Sequence, residues 1–299
     1  MNAPTNGSVY SSWPYPARAR PILLGRGVSP KRTLFLIHDG TGGIEGYFKL
    51  CARIRSDFSV YGILCNEFND GVPQTLSIPQ LSRDYIGRIA EIQPSGPYYL
   101  AGWSIGGTIT FEMASQLEAG GHEVAFCGLF DPPPPGYYPA ESLGSVTLQA
   151  ELEWLSKYAV SQEDKNRLAQ CRSLDELWRT FVGREEEGGI DSGLFRRTVA
   201  DQWQVPMLIA SKAPFREWLC SFNTIRSLHA ARTEYEPDRY LASPVHLFAA
   251  TGSPIPELPE WGRYCKTLKM YPLQGDHYSI FDHEHVESSA VQLNAALPE

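Results

Sequence analysis

Three side chains suited to nucleophilic catalysis stand far apart in the chain: Ser104, Asp131 and His277. Ser104 sits in Gly102-Trp103-Ser104-Ile105-Gly106, a Gly-x-Ser-x-Gly pattern with an apolar run before it and helix-like spacing after it. A serine at a sharp strand-to-helix turn presents its hydroxyl, and any side chain at 102 or 106 would collide with neighbouring backbone. A hydroxyl is a weak nucleophile at neutral pH, so it needs a base, and the base needs a carboxylate to orient it. Asp131 ends the apolar run Ala125-Phe126-Cys127-Gly128-Leu129-Phe130 and is followed by four prolines. His277 lies in Leu273-Gln274-Gly275-Asp276-His277-Tyr278-Ser279, late in the chain. The order serine, acid, histidine, each after a strand, is the order that a nucleophile elbow demands. The chemistry predicted is acyl transfer through an acyl-serine.

Such transfer passes through an oxyanion, which needs N–H donors aimed in advance. Ile105, opening a helix whose dipole favours negative charge, supplies one. The loop His38-Asp39-Gly40-Thr41-Gly42-Gly43 is glycine-rich enough to supply the other, with Gly40 as the candidate. His38 is read as holding that loop rather than moving protons. A competing position for the acid follows the later strand, at Thr251-Gly252-Ser253-Pro254, where the nearest carboxylate is Glu257. His283 and His285 stand near His277 without a supporting ligand cluster, so neither metal nor cofactor is expected.

These residues need a scaffold that brings them together. Thr33-Leu34-Phe35-Leu36-Ile37 is a continuous apolar run, as expected of a strand buried on both faces. A helix over 46–54, a strand over 59–64, a helix over 78–93 and a strand over 98–101 follow. The elbow's helix runs to Gly120-Gly121, and a strand over Val124–Phe130 comes next. From 137 to 240 the pattern is helical. Strands return at Val245–Ala250 and Leu268–Leu273, with a last helix over 285–296. Alternating strands and helices predict an α/β fold: a mostly parallel central sheet flanked by helices, with a helical lid insertion. The expected organisation is a tail or linker over 1–20, core over 21–136, lid over 137–240 and core over 241–299.

In the lid, Leu152, Trp154, Leu155, Leu174, Leu177, Trp178, Phe181, Phe195, Trp203, Met207, Leu208, Phe215, Trp218 and Leu219 recur at helical spacing. Most should pack between lid helices, and some should line an acyl pocket. Gly183-Arg184-Glu185-Glu186-Glu187-Gly188-Gly189 reads as a solvated joint and a candidate hinge, and Arg196-Arg197 as a candidate docking spot.

The chain has 299 residues, with 34 acidic against 26 basic side chains and a net charge of −8, which argues against a nucleic-acid binder. The charge-free stretch 92–111 is long enough to span a membrane, but its two prolines and four glycines make it loop, strand and turn. Residues 1–8 lack the apolar run expected of a secretion signal, and the six scattered cysteines form no Cys-x-x-Cys pair. The expectation is a cytoplasmic protein with reduced, mostly buried thiols and no membrane or nucleic-acid partner.

Leu36-Ile37-His38-Asp39-Gly40, Gly102-Trp103-Ser104-Ile105-Gly106-Gly107, Gly128-Leu129-Phe130-Asp131 and Gly275-Asp276-His277-Tyr278-Ser279 together resemble the thioesterase domains of nonribosomal peptide synthetases and polyketide synthases. The resemblance covers 21–299 and implies an α/β-hydrolase fold with a helical lid. It implies that Ser104 is acylated by a chain delivered on the phosphopantetheine arm of an acyl or peptidyl carrier protein, in cis or in trans. His277 would act as base and then acid, held by Asp131, with release by hydrolysis or cyclisation. Many members of the family carry proline where this chain has Asp39. An editing thioesterase, a carboxylester hydrolase of the same fold and a catalytically silent binding module are the alternatives.

Overall fold

The structure, a computed structural model, describes residues 20–28, 30–65, 72–73, 77–137, 146–203, 211–255 and 258–299. The expected tail lies outside these residues apart from Arg20, as do Met207, Leu208 and Glu257. The described residues form two compact units. One, from 20–65, 77–137 and 225 onward, holds the sheet; the other, chiefly 146–203 and 211–224, is helical. Residues 225–240, inside the expected insertion, group with the sheet.

The sheet has seven strands: β1 Ile22–Gly25, β2 Arg32–Ile37, β3 Phe58–Ile63, β4 Tyr98–Trp103, β5 Val124–Phe130, β6 Val245–Ala250 and β7 Leu268–Leu273. Their spatial order is β1-β3-β2-β4-β5-β6-β7. All neighbours run parallel except β1, which lies antiparallel to β3 at one edge. The mostly parallel sheet was legible in the sequence, but β1 was not. Four residues at an edge, none of them fully buried, carry neither a long apolar run nor an alternating one. At the centre, Leu34, Phe35, Leu36 and Ile37 of β2 are wholly buried, which is why that strand reads as uninterrupted apolar sequence.

The predicted helix over 46–54 is a 3-10 turn at Glu45–Tyr47 followed by the short helix α1, Phe48–Cys51. Tight bonds from Arg53 N–H to the Leu50 carbonyl and from Ile54 N–H to the Cys51 carbonyl close it early. Helix α2, Ile78–Ala90, starts at Ser77, whose hydroxyl accepts from Gln80 N–H at 3.3 Å, with Pro79 in its first turn. Helix α3, Ile105–Ala119, is buried along most of its length.

The helical unit holds α4 Leu148–Leu155, α5 Gln162–Ala169, α6 Leu174–Glu186 and α7 Ser192–Trp203, and helix α8, Phe215–Thr233, begins there. Thr147, Ser161 and Ser173 cap α4, α5 and α6 by accepting backbone N–H bonds at 3.3, 3.1 and 3.1 Å. Phe195 is the centre of an aromatic cluster, with ring centroids 4.8 Å from Tyr158, 5.1 Å from Trp154, 5.3 Å from Phe181 and 5.8 Å from Phe215. Helix α6 continues through Gly183 to Glu186, so only Glu187, Gly188 and Gly189 remain of the expected joint. Arg184 is not solvated as read: its Nε donates to the buried Asp164 carboxylate at 2.7 Å and ties α6 to α5. Arg196 likewise lies over Phe215 and Trp218 and donates to the Ala213 carbonyl at 2.7 Å, which removes it as an open docking charge. The last helix, α9, spans Val286–Ala296.

Candidate active site

In a parallel sheet every strand ends on the same edge, and loops leaving that edge converge. The pairs Ile37↔Gly102, Gly102↔Leu129, Phe130↔Phe248 and Ala250↔Leu273 bring the ends of β2, β4, β5, β6 and β7 into line. The three chemically suited residues leave from three of those ends. His277 Nδ1 donates to Asp131 Oδ2 at 2.8 Å, and Ser104 Oγ donates to His277 Nε2 at 3.1 Å. Residues separated by 146 and 173 positions thus form one hydrogen-bonded chain.

Ser104 holds φ 57° and ψ −124° between β4 and α3, a conformation costing on the order of 1–3 kcal/mol in a residue with a side chain. Crowding enforces it. A Cβ on Gly102 would stand 2.2 Å from the Gly106 oxygen, and one on Gly106 would stand 2.1 Å from the His38 oxygen. Although Ser104 occupies the N-cap of α3, its hydroxyl makes no cap bond, which leaves it to His277. Ile105, the first residue of the helix, is among those whose N–H has no intrahelical acceptor.

Asp131 is fully buried and also has a positive φ, 49°. Its N–H donates to the Phe248 carbonyl at 2.8 Å. Its Oδ1 accepts from Ala250 N–H at 2.9 Å and its Oδ2 from the Ser253 hydroxyl at 2.8 Å. The segment after β6 therefore contributes a hydroxyl to the acid that follows β5. The residue of this segment that reaches the site is thus Ser253, which no sequence pattern marks.

The His277 loop is shaped by its own motif. Gly275 has φ +93°, and a Cβ there would stand 2.5 Å from the His285 ring. Asp276 Oδ1 accepts from Tyr278 N–H at 3.0 Å, Ser279 N–H at 3.0 Å and the Ser279 hydroxyl at 2.8 Å. Hydrogen bonds from Ser279 foremost hold the Asp276 carboxyl below its usual range. Trp103 Nε1 donates to the His277 carbonyl at 3.0 Å, and Gly252 N–H to the Gly275 carbonyl at 2.9 Å. Tyr47, another residue the sequence did not single out, donates to the Ile37 carbonyl at 2.7 Å and accepts from Trp103 N–H at 2.7 Å. It clamps the end of β2 to the end of β4, and burial drives its phenol well above the ordinary range.

In the loop after β2, the buried His38 donates from Nδ1 to the Asp39 carbonyl at 2.7 Å, while its Nε2 lies 2.8 Å from the Tyr85 hydroxyl. The contact with Tyr85 ties the loop to α2. Asp39 N–H and carbonyl bond Gly43 and Gly42 at 3.1 and 3.0 Å, closing a turn with Gly40 at its tip. A Cβ on Gly40 would meet nothing within 4 Å, so open space lies beside it. Asp39 itself is buried, and burial pushes its carboxyl up to about 6.

His283 is exposed and His285 caps α9, apart from any ligand group. Among the described residues no cluster of His, Cys, Asp or Glu is arranged to hold a metal ion, and no helix is long and apolar enough to cross a membrane. No disulfide joins the six cysteines, of which five are buried and Cys220 is half-buried.

The model of the thioesterase-domain family matches residues 32–295. Over 298 residues the chain is 27% identical to the aspulvinone E synthetase melA of Aspergillus terreus, covering 95% of this chain and 30% of that protein. Over 123 residues it is 38% identical to the non-reducing polyketide synthase crz7 of Cladonia metacorallifera, covering 41% of this chain and 6% of that protein. The chain spans less than a third of the length of these curated relatives. Among solved structures, the Vlm2 thioesterase domain bound with a dodecadepsipeptide superposes with a TM-score of 0.62 at 18% identity, over 95% of this chain and 100% of that one. The fold is that of the α/β-hydrolases.

Proposed function

The chain belongs to the thioesterase-domain family, and we propose that it releases an acyl, polyketide or peptidyl chain from a carrier-protein phosphopantetheine thioester through an acyl-Ser104 intermediate. The observation that carries the reading is the unbroken relay from Ser104 through His277 to Asp131, at 3.1 and 2.8 Å. The naming of one relative as a synthetase and another as a polyketide synthase supports a thioester on a carrier protein as the substrate.

In the first half-reaction, Ser104 Oγ attacks the thioester carbonyl carbon while His277 Nε2 takes its proton. Asp131 stabilises the imidazolium that forms. The carbonyl oxygen becomes an oxyanion that accepts from the N–H groups of Ile105 and Gly40. Collapse breaks the C–S bond, and His277 returns the proton to the departing thiolate. In the second half, His277 takes a proton from water or from a nucleophile within the acyl chain. That oxygen or nitrogen attacks the ester carbonyl, and the proton passes to Ser104 Oγ as it leaves.

Intact-protein mass spectrometry after a panel of acyl thioesters tests this. The expected result is a mass increase equal to the acyl group less the hydrogen it replaces, lost in Ser104→Ala and in His277→Ala. Preference for oxygen esters over matched N-acetylcysteamine thioesters would make the chain a carboxylester hydrolase. Rapid clearance of acetyl groups from carrier protein, with no action on long chains, would make it an editing enzyme.

A further inference from the structure

We propose that Asp39 is a positioning residue for acyl transfer: its carboxyl must carry a proton for the Gly40 subsite to hold an oxyanion. This deepens, and rests on, the serine reading of the site given above.

The inference starts from geometry. Asp39 immediately precedes Gly40, and its own backbone closes the turn that carries that N–H. One carboxyl oxygen, Oδ1, is engaged by Thr41, accepting from its N–H at 2.8 Å and from its hydroxyl at 2.6 Å. The other, Oδ2, lies beside the 3-10 turn: a Cβ on Gly46 would stand 3.8 Å from it. The carboxyl is therefore flanked by the turn and its own loop, and the residue is buried, with little water to screen it.

The charged and titratable groups that act on Asp39 are Glu45, from the turn, His277, from the loop after β7, and the buried phenol of Tyr47. Glu45 opposes ionisation and His277 favours it, while burial outweighs both. His277 already has a carboxylate partner in Asp131 at 2.8 Å, so a second negative charge adds little to its imidazolium. The oxyanion has only N–H dipoles, one of them on the residue next to Asp39. An ionised Asp39 in this enclosed site therefore opposes the charge that the reaction must develop. A protonated Asp39 keeps the turn, because Oδ1 still accepts from Thr41, and removes the repulsion.

A falling limb in rate follows from Asp39 alone. Asp39 must keep its proton, so rate falls once pH passes the region of 6 to which burial moves this carboxyl. Asp39→Asn copies the protonated form in size and in its bond from Thr41.

The test is the rate at which an alkyl fluorophosphonate labels Ser104, read by intact-protein mass spectrometry between about pH 5 and about pH 9. Wild type should show a limb that falls above the region of pH 6. Asp39→Asn should lack that limb, matching wild type near about pH 5 and exceeding it by about tenfold or more at about pH 8. Thr41→Val supplies an independent arm: losing a hydrogen bond that favours the carboxylate should move the falling limb to higher pH. A falling limb that survives unchanged in Asp39→Asn, or a uniform slowing without change of shape, overturns the inference. Should Asp39→Asn not fold, an unmoved limb in Thr41→Val overturns it equally. Absence of label on Ser104 in wild type at every pH removes the serine reading itself, a result distinguishable from failure of the Asp39 role.

Discussion

The indole N–H of Trp103 donates to the main-chain carbonyl of His277 at 3.0 Å, so the residue before Ser104 holds the loop that carries the imidazole. Serine and histidine are thereby referred to one another twice, once through their side chains and once through this bond. The tryptophan is also wedged edge-on against Phe281, with ring centroids 5.5 Å apart, which fixes the plane from which it donates.

Trp103→Phe should preserve the fold while loosening His277. The lost bond corresponds to about 1 kcal/mol, so acylation of Ser104 should slow by roughly fivefold to tenfold. Single-turnover acylation should carry the loss, with KM little changed; an effect confined to KM would speak against a role in holding the base.

Ser253→Ala removes one of three hydrogen bonds to the Asp131 carboxylate, leaving Ala250 N–H and His277. A buried carboxylate deprived of a donor should destabilise the fold by about 1–2 kcal/mol. Denaturant unfolding checks the stability, and the phosphonate labelling rate should fall in parallel. Unaltered values for both would mean that the hydroxyl is dispensable.

Glycines in the two loops should differ sharply. Gly106→Ala places a Cβ against the His38 and Ile37 carbonyl oxygens, at 2.1 and 2.7 Å, where only backbone can give way. It should destabilise by more than about 3 kcal/mol or fail to fold. Gly40→Ala meets open space and keeps the N–H, so its thermal midpoint should match that of wild type. Comparable melting of the two variants would contradict the crowding described at the elbow.

Asp39 should leave a signature in stability as well as in rate. Its carboxyl titrates near 3.9 when unfolded and is raised to about 6 by burial. Between those values the folded state binds the extra proton, so stability falls as pH rises through this window and levels off above it. The full effect is about 3 kcal/mol. Asp39→Asn, which has no proton to lose, should equal wild type near about pH 4 and surpass it near about pH 8 in urea unfolding. A constant difference across that range would show that Asp39 titrates normally.

The sequence displays the centre of this fold more clearly than its margins. Buried parallel strands such as β2, β4 and β5 must be apolar on both faces, and loops at their ends must carry the chemistry, so Ser104, Asp131 and His277 stand out by position. Strand β1 leaves no comparable trace because an edge strand of four residues buries too little. Supporting residues are harder still. Ser253 and Tyr47 act through single hydroxyls whose partners are 122 and 56 residues away, and no local pattern records such a pairing. Gly183-Arg184 read as solvated because composition alone cannot reveal that Asp164, in another helix, waits for the guanidinium.

The direct pairing of β5 with β6, from Cys127↔Val245 to Phe130↔Phe248, has a consequence for how this molecule can diversify. The intervening stretch of more than a hundred residues leaves β5 after Phe130 and enters the adjacent β6 at Val245, which pairs with Cys127, so its two ends lie roughly 11 Å apart on neighbouring strands. Its anchor points are therefore set by the sheet and not by its own contents. The part of that stretch that groups apart from the sheet, between Asp131 and residue 225, is a cassette: its length and lining can be exchanged for those of another chain while the strand register, and the relay, stay as they are.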